Sequence, residues 1–310
     1  MDNSLASHNH HAAANIHFPN ARDYLELLKP RVMSLVLFTA FVGMVEAGSS
    51  THPLLAWIAL LCIALGAGAA GALNMWFDSD IDAIMTRTQA RPIPQGRILP
   101  GEALGFGCSL AAGAVLTMGL LLNWGAAMLL AATIAFYIFI YTMLLKRRTP
   151  LNIVIGGIAG AAPPVIGALA VSGTVTLSSL FLFLIVFLWT PPHSWALALL
   201  RNREYEEVGV PMLPATHGAA ATCRQTLVYS LLLAGASLLP YLYGVAGVFY
   251  LAVALVLNGV FFTGAVRLSL ACRRGGSLAQ PARFLFRFSI LYLFLLLLAM
   301  LADSGIGLLS

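Results

Sequence analysis

Pro53-Leu-Leu-Ala-Trp57 opens an apolar run that ends in Asn74-Met-Trp-Phe-Asp78-Ser-Asp80-Ile-Asp82, and this junction decides the fold. Residues 53–73 carry no charge, and a helix of that length crosses a bilayer. A carboxylate near membrane depth costs about 2.5–3.5 kcal/mol on insertion scales, so acids closing such a run need an explanation. On a helix, positions 74, 78 and 82 share a face, which predicts one acidic stripe about 12 Å long, with Asp80 on the other side. Hard oxygen ligands of this kind suit Mg²⁺, which takes one or two carboxylates and completes its shell with a substrate's phosphates. A wet helix end with merely solvated acids is the competing reading, and spacing alone leaves both open.

Working outward, composition sets the class. The chain has 310 residues, 60% of them hydrophobic and 9% charged. Soluble domains carry about 25% charged residues, so this is an integral membrane protein, and its long apolar runs make it all-helical rather than a barrel. Cys62, Cys108, Cys223 and Cys272 are scattered and indicate neither a disulfide framework nor a metal knuckle. Residues 1–22, with His8, His10, His11 and His17, lack a signal-peptide core and read as a disordered cytosolic tail. A weak metal-binding tract is the other reading there.

Nine apolar spans are expected: 31–48, 53–76, 101–122, 124–145, 151–171, 178–200, 225–243, 245–267 and 284–302. They form one transmembrane domain over 23–303, with a short external tail at 304–310. All 17 lysines and arginines fall in the N-terminal segment or around the loops after spans 2, 4, 6 and 8. By the positive-inside rule the N-terminus and these loops are cytoplasmic and the C-terminus is outside. The net charge of +5 is thus a topological signal, and no nucleic-acid partner is called for.

Those same loops hold the reactive groups. Arg87 and Arg91 lie just beyond the acids, and guanidinium forks match phosphate oxygens in two-point contacts, although anchoring the topology needs only their charge. A second group, Tyr141-Thr-Met-Leu-Leu-Lys146-Arg147-Arg148-Thr-Pro-Leu-Asn152, precedes Gly156, Gly157 and Gly160, which permit close approach of helices or of a flat ligand. Pro163 and Pro164 are expected to kink span 5. The third group is Trp189-Thr-Pro-Pro-His193-Ser-Trp195, followed by Arg201-Asn-Arg-Glu204-Tyr205-Glu206-Glu207. His193 inside a span fits a haem ligand, a proton carrier or a histidine simply bonded to another helix. One of the three glutamates reaching a second Mg²⁺, or all three lying in solvent, are both open.

With these groups in hand, the chain resembles the haem O synthases of the UbiA superfamily of intramembrane prenyltransferases. The resemblance rests on Asn74 to Asp82, Arg87-Thr with Arg91-Pro, Lys146-Arg-Arg-Thr-Pro-Leu-Asn152, Trp189-Thr-Pro-Pro-His193 and Gly209-Val-Pro-Met-Leu213, in order over about residues 20–302. It implies nine helices around a central cavity and transfer of the farnesyl group of farnesyl diphosphate to a vinyl group of haem b, with water added. It implies a bacterial cytoplasmic membrane with a cytoplasmic active face, and leaves room for a downstream haem-modifying enzyme as partner. On this reading Asp78 and Asp82 bind Mg²⁺. Asn74, Arg87 and Lys146 share the catalytic work, and Arg91, Arg147, Arg148, Tyr141, Asn152, His193, Trp195 and Glu204 hold the substrates. One departure stands out: the superfamily's second acidic region usually carries several aspartates, and here Glu204-Tyr205 stands in its place. Two rivals remain, a UbiA-type enzyme acting on an aromatic or quinone precursor and a secondary transporter. The transporter fits poorly with charges gathered at one face.

Overall fold

The computed structural model describes residues 19–48 and 50–307, and every regular element among them is helical. The four N-terminal histidines and most of the expected tail lie outside the described residues. Its last two residues open α1 (Ala21–Leu27), where Asn20 and Asp23 cap each other reciprocally at 3.1 Å. A bend of 56° at Leu28 and Lys29 leads into α2 (Pro30–Glu46). Then follow α3 (Pro53–Phe77), the short α4 (Ser79–Ile84), α5 (Pro100–Leu121) and α6 (Trp124–Ala135). The chain continues through a π-helical stretch (Phe136–Leu145), α7 (Asn152–Ala161), α8 (Pro163–Ser172), α9 (Leu177–Leu200) and α10 (Asn202–Glu207). It closes with α11 (Leu213–Leu242), α12 (Val248–Arg273) and α13 (Ala279–Gly307).

Among the described residues, eight helices are long and apolar enough to cross a membrane, and the bent pair α1–α2 makes nine. Helices are the form these runs must take, because lipid offers no partner to an unpaired backbone group. Several boundaries move. α11 starts at Leu213 rather than near 225, with a break at Gly218, whose φ of 77° no ordinary side chain favours. In its polar stretch the hydroxyls of Thr222, Thr226 and Ser230 are each satisfied by the carbonyl four residues back. α12 runs past its expected end at 267 and α13 begins ahead of 284, so Arg273 and Arg283 are helical.

Pro163 and Pro164 interrupt the helix at Ala162, between α7 and α8, but Ala162 keeps helical angles (φ −68°, ψ −30°) and Asn152–Ser172 runs as one span, so a sharp kink does not form. α2 crosses α8 there, and a Cβ on Gly43 would lie only 2.2 Å from the Pro164 carbonyl oxygen, so only glycine allows this crossing. In contrast, Pro191 and Pro192 leave α9 uninterrupted. One core joins α2, α3, α5, α6 and α8 around Ile63, Met118 and Ile166. Another joins α9, α11, α12 and α13 around Leu182, Phe261 and Tyr292. At the other end from the site, Ser304 donates to Glu46 Oε1 at 2.7 Å and the Asp303 carboxylate accepts from the Gly247 amide at the start of α12. These two acids, without an evident role in the sequence, tie helix ends together.

Candidate active site

The acidic stripe forms, but not on one helix. α3 ends at Phe77, Asp78 takes a non-helical φ of −90° and ψ of 11°, and α4 begins at Ser79. The three residues stay aligned because the Asp78 amide donates to the Asn74 carbonyl at 2.9 Å and the Asp82 amide to the Asp78 carbonyl at 2.8 Å. All three side chains are buried, at 5%, 0% and 4% exposure for Asn74, Asp78 and Asp82, which removes the solvated-end reading. Asp80 is on the other side as expected, with its carboxylate 63% exposed.

Each acid holds a cation. Lys146 pairs with Asp78, and Arg91 Nη1 lies 2.5 Å from Asp82 Oδ2. Arg147 takes both oxygens of Asp80, at 2.7 and 2.8 Å, lies across the Phe77 ring at 5.1 Å, and sits 3.6 Å from Asp78 Oδ1. Its guanidinium keeps the Asp80 carboxyl below the usual aspartate range. Asn74 works with both of its amide atoms, donating from Nδ2 to Asp78 Oδ2 at 2.7 Å and accepting from Lys29 Nζ at 2.9 Å. Asp78 Oδ1 is buried without a hydrogen bond. A buried, unsatisfied carboxylate oxygen among cations is a donor available to a metal.

Lys29 and Thr142 are the members of this cluster that the sequence did not single out. Lys29 has φ 52° and ψ 57°, making it the only non-glycine residue with positive φ among those described. Thr142 accepts from Asn74 Nδ2 at 3.3 Å and donates to the Tyr137 carbonyl, five residues back, at 2.8 Å. That five-residue step belongs to the π stretch and is repeated from the Lys146 amide to the Tyr141 carbonyl at 2.8 Å. π segments cluster at functional sites, and this register turns Thr142 toward Asn74 and Lys146 toward Asp78.

The remaining expected site residues divide. Asn152 is fully buried and its Nδ2 donates to the Thr149 carbonyl at 2.7 Å, bracing the turn after Lys146, while its Oδ1 has no partner. Tyr141 lies against Gly156, where an added Cβ would fall 2.3 Å from its ring, so this glycine accommodates a side chain of the protein. Trp195 is 2% exposed, packs with Ile81, Met85 and Ile153, meets Tyr229 edge-on at 5.3 Å, and has an unpartnered Nε1. Arg87 and Arg148 are exposed and form no ion pair among the described residues. Glu204 Oε1 pairs with Arg201 at 2.5 Å, and its Oε2 is buried and unpartnered. No group of three or more His, Cys, Asp or Glu side chains suited to a metal exists among the described residues, so Glu204 does not join Asp78 and Asp82 in one cage.

His193 stands apart from the acids. Its ring is stacked between Trp189 (centroids 4.4 Å, 18°) and Phe286 (4.9 Å, 26°), and Nδ1 lies 2.6 Å from Ser289 Oγ. It is thus bonded to another helix, with one ring nitrogen left over.

Comparison with known proteins is consistent with this layout. The profile of the UbiA prenyltransferase family matches residues 36–291. "Protoheme IX farnesyltransferase 2" of Mesorhizobium japonicum is 56% identical over 284 residues, covering 92% of this chain and 90% of its own. The protoheme IX farnesyltransferase of Parvibaculum lavamentivorans is 55% identical, covering 93% and 91%. Among solved structures, a digeranylgeranylglyceryl phosphate synthase superposes with a TM-score of 0.75 at 19% identity, covering 91% of this chain and 98% of its own. A UbiA homologue from Archaeoglobus fulgidus, described as bound to DMAPP and Mg²⁺, gives 0.60 at 15% identity, covering 89% and 99%. The chain is a multi-pass membrane enzyme and belongs to the UbiA prenyltransferase family, within its protohaem IX farnesyltransferases.

Proposed function

We propose that the enzyme joins farnesyl diphosphate, haem b and water to give haem O and diphosphate, at the cytoplasmic face of a bacterial cytoplasmic membrane. The observation that carries this is the buried Asp78, with one oxygen that makes no hydrogen bond, set among Lys146, Arg147 and the Lys29–Asn74 pair. Cations outnumber acids there, which suits a diphosphate and its metal better than either alone.

Asp78 and Asp82 are the residues that hold Mg²⁺, which when bound supplies charge stabilisation to the departing diphosphate. A structural neighbour described as bound to DMAPP and Mg²⁺ agrees with metal-assisted prenyl transfer in general. Lys29, Arg87, Arg91, Lys146 and Arg147 bind the phosphate oxygens, and Arg148 adds charge at the rim. These preset donors act on the charge that develops as the allylic C–O bond breaks. Asn74 orients Asp78 and Lys29 together. Tyr141, Trp195 and the apolar residues around them exclude water from the allylic cation. A haem vinyl carbon then bonds to the farnesyl C1, and water adds to the resulting cation and loses a proton. Asn152 Oδ1, Trp195 Nε1 and Glu204 Oε2 are buried polar atoms left over for the substrates. His193 binds the haem, and a following haem-modifying enzyme would take the product.

The test is to incubate membranes containing the enzyme with haem b and farnesyl diphosphate, with and without Mg²⁺, and separate haems by hydrophobicity. A Mg²⁺-dependent haem heavier by one farnesyl group and one hydroxyl is expected. Prenylation of an added aromatic acid in its place would overturn the acceptor assignment.

A further inference from the structure

We propose that Ser289 is a positioning residue that holds His193 in the tautomer with a proton on Nδ1 and a bare Nε2, directing Nε2 to the iron of the haem substrate. This rests on the haem reading above.

The hydrogen-bond chain decides the tautomer. Ser289 is fully buried on α13 and owns one hydroxyl proton, which it donates to the Phe286 carbonyl at 2.7 Å. Its oxygen is then an acceptor toward His193 Nδ1 at 2.6 Å, so the ring nitrogen supplies the proton. Nε2 makes no hydrogen bond among the described residues, so nothing in the protein holds a proton there. The position of Ser289 is itself held: Trp189 Nε1 donates to the Ser289 carbonyl at 2.7 Å. Trp189 and Phe286 stack on the two faces of the imidazole, which keeps the ring from turning over and exchanging its nitrogens. α9 and α13 thus form a vice that engages Nδ1 and leaves Nε2 without a hydrogen bond. Metal-bound histidines commonly have their second nitrogen bonded in this way, which sets the tautomer and raises the basicity of the ligating atom.

Two measurements test this. NMR of isotope-labelled histidine in the full-length protein in bilayers, with the His193 signal identified by its loss in His193→Ala, reads the tautomer without any haem. Protonated Nδ1 and bare Nε2 are expected, and a proton on Nε2 would overturn the proposal. Haem b titration of the same protein then compares variants by affinity and by the iron–histidine stretch of the ferrous complex. Ser289→Ala is expected to lower that stretch and weaken haem binding on the order of tenfold, and Ser289→Thr, which keeps the hydroxyl, to restore both. Loss of the stretch in Ser289→Thr as well as Ser289→Ala would make packing, not the hydroxyl, the cause and would sink the role of Ser289. An unchanged haem spectrum in His193→Ala would instead remove the haem-ligand reading, leaving the tautomer result standing on its own.

Discussion

Lys29 Nζ donates to Asn74 Oδ1 at 2.9 Å, joining the bend ahead of α2 to the end of α3 across 45 residues of chain. The left-handed backbone at Lys29 costs about 1–2 kcal/mol for a residue with a Cβ. A side chain retained at such a position has a use that outweighs the strain.

Replacing Lys29 with glycine therefore separates two effects. The backbone strain is relieved, so thermal stability should hold or rise, while KM for farnesyl diphosphate should rise roughly tenfold for a lost charged hydrogen bond. Steady-state kinetics beside thermal unfolding reads both. An unchanged KM would reduce Lys29 to a hinge.

Lys146 and the buried Asp78 form a close pair, and removing Lys146 leaves Asp78 with only the more distant Arg147 as a counter-charge. Lys146→Met should cost about 3–5 kcal/mol of stability. The double change Lys146→Met with Asp78→Asn should recover most of that stability and none of the activity. Melting temperatures and product formation, measured on Lys146→Met, Asp78→Asn and the double variant, give the coupling.

Gly156 and Gly160 lie one turn apart on α7 with opposite surroundings. An added Cβ at Gly156 meets the Tyr141 ring at 2.3 Å, whereas Gly160 has open space. Gly156→Ala should displace Tyr141 and lower turnover by roughly 10–100-fold, the size of effect a misplacement near 1 Å produces. Gly160→Ala should leave turnover unchanged. Equal kcat values for the two variants would show that Tyr141 has no part in the reaction.

Gly43→Ala attacks the crossing of α2 on α8, where the obstruction is the Pro164 backbone and no side chain can move aside. A loss of about 1–3 kcal/mol or more is expected from such overpacking. Gly235, helical and with open space around it, is the control: Gly235→Ala should stabilise by up to about 1 kcal/mol. Thermal melts in one detergent settle the comparison.

Much of the site was legible because its chemistry is local in sequence. The positions of Asn74, Asp78 and Asp82 follow from helical spacing, and their alignment survived a break at Asp78 because the backbone ladder runs through it. Arg91 was found by its charge just beyond those acids, and Lys146 by the resemblance to the family. Lys29 and Ser289 were not, since one looks like a topology anchor and the other like a small core residue. Only the α1–α2 bend and the packing of α13 on α9 give them partners. The π register was equally invisible, because Phe136–Leu145 reads as a plain apolar run and its five-residue steps depend on what Thr142 and Lys146 meet.

The sequence by itself determined the membrane class, the number and rough limits of the spans, the gathering of charge at one set of loops, and the motifs of the family. It did so because lipid enforces helices on apolar runs and because charge does not cross a bilayer cheaply. The tertiary structure decided which cation meets which acid, where backbone strain is held, and which ring nitrogen of His193 is free. Those depend on contacts between residues 45 to 96 positions apart, and only packing brings such residues together.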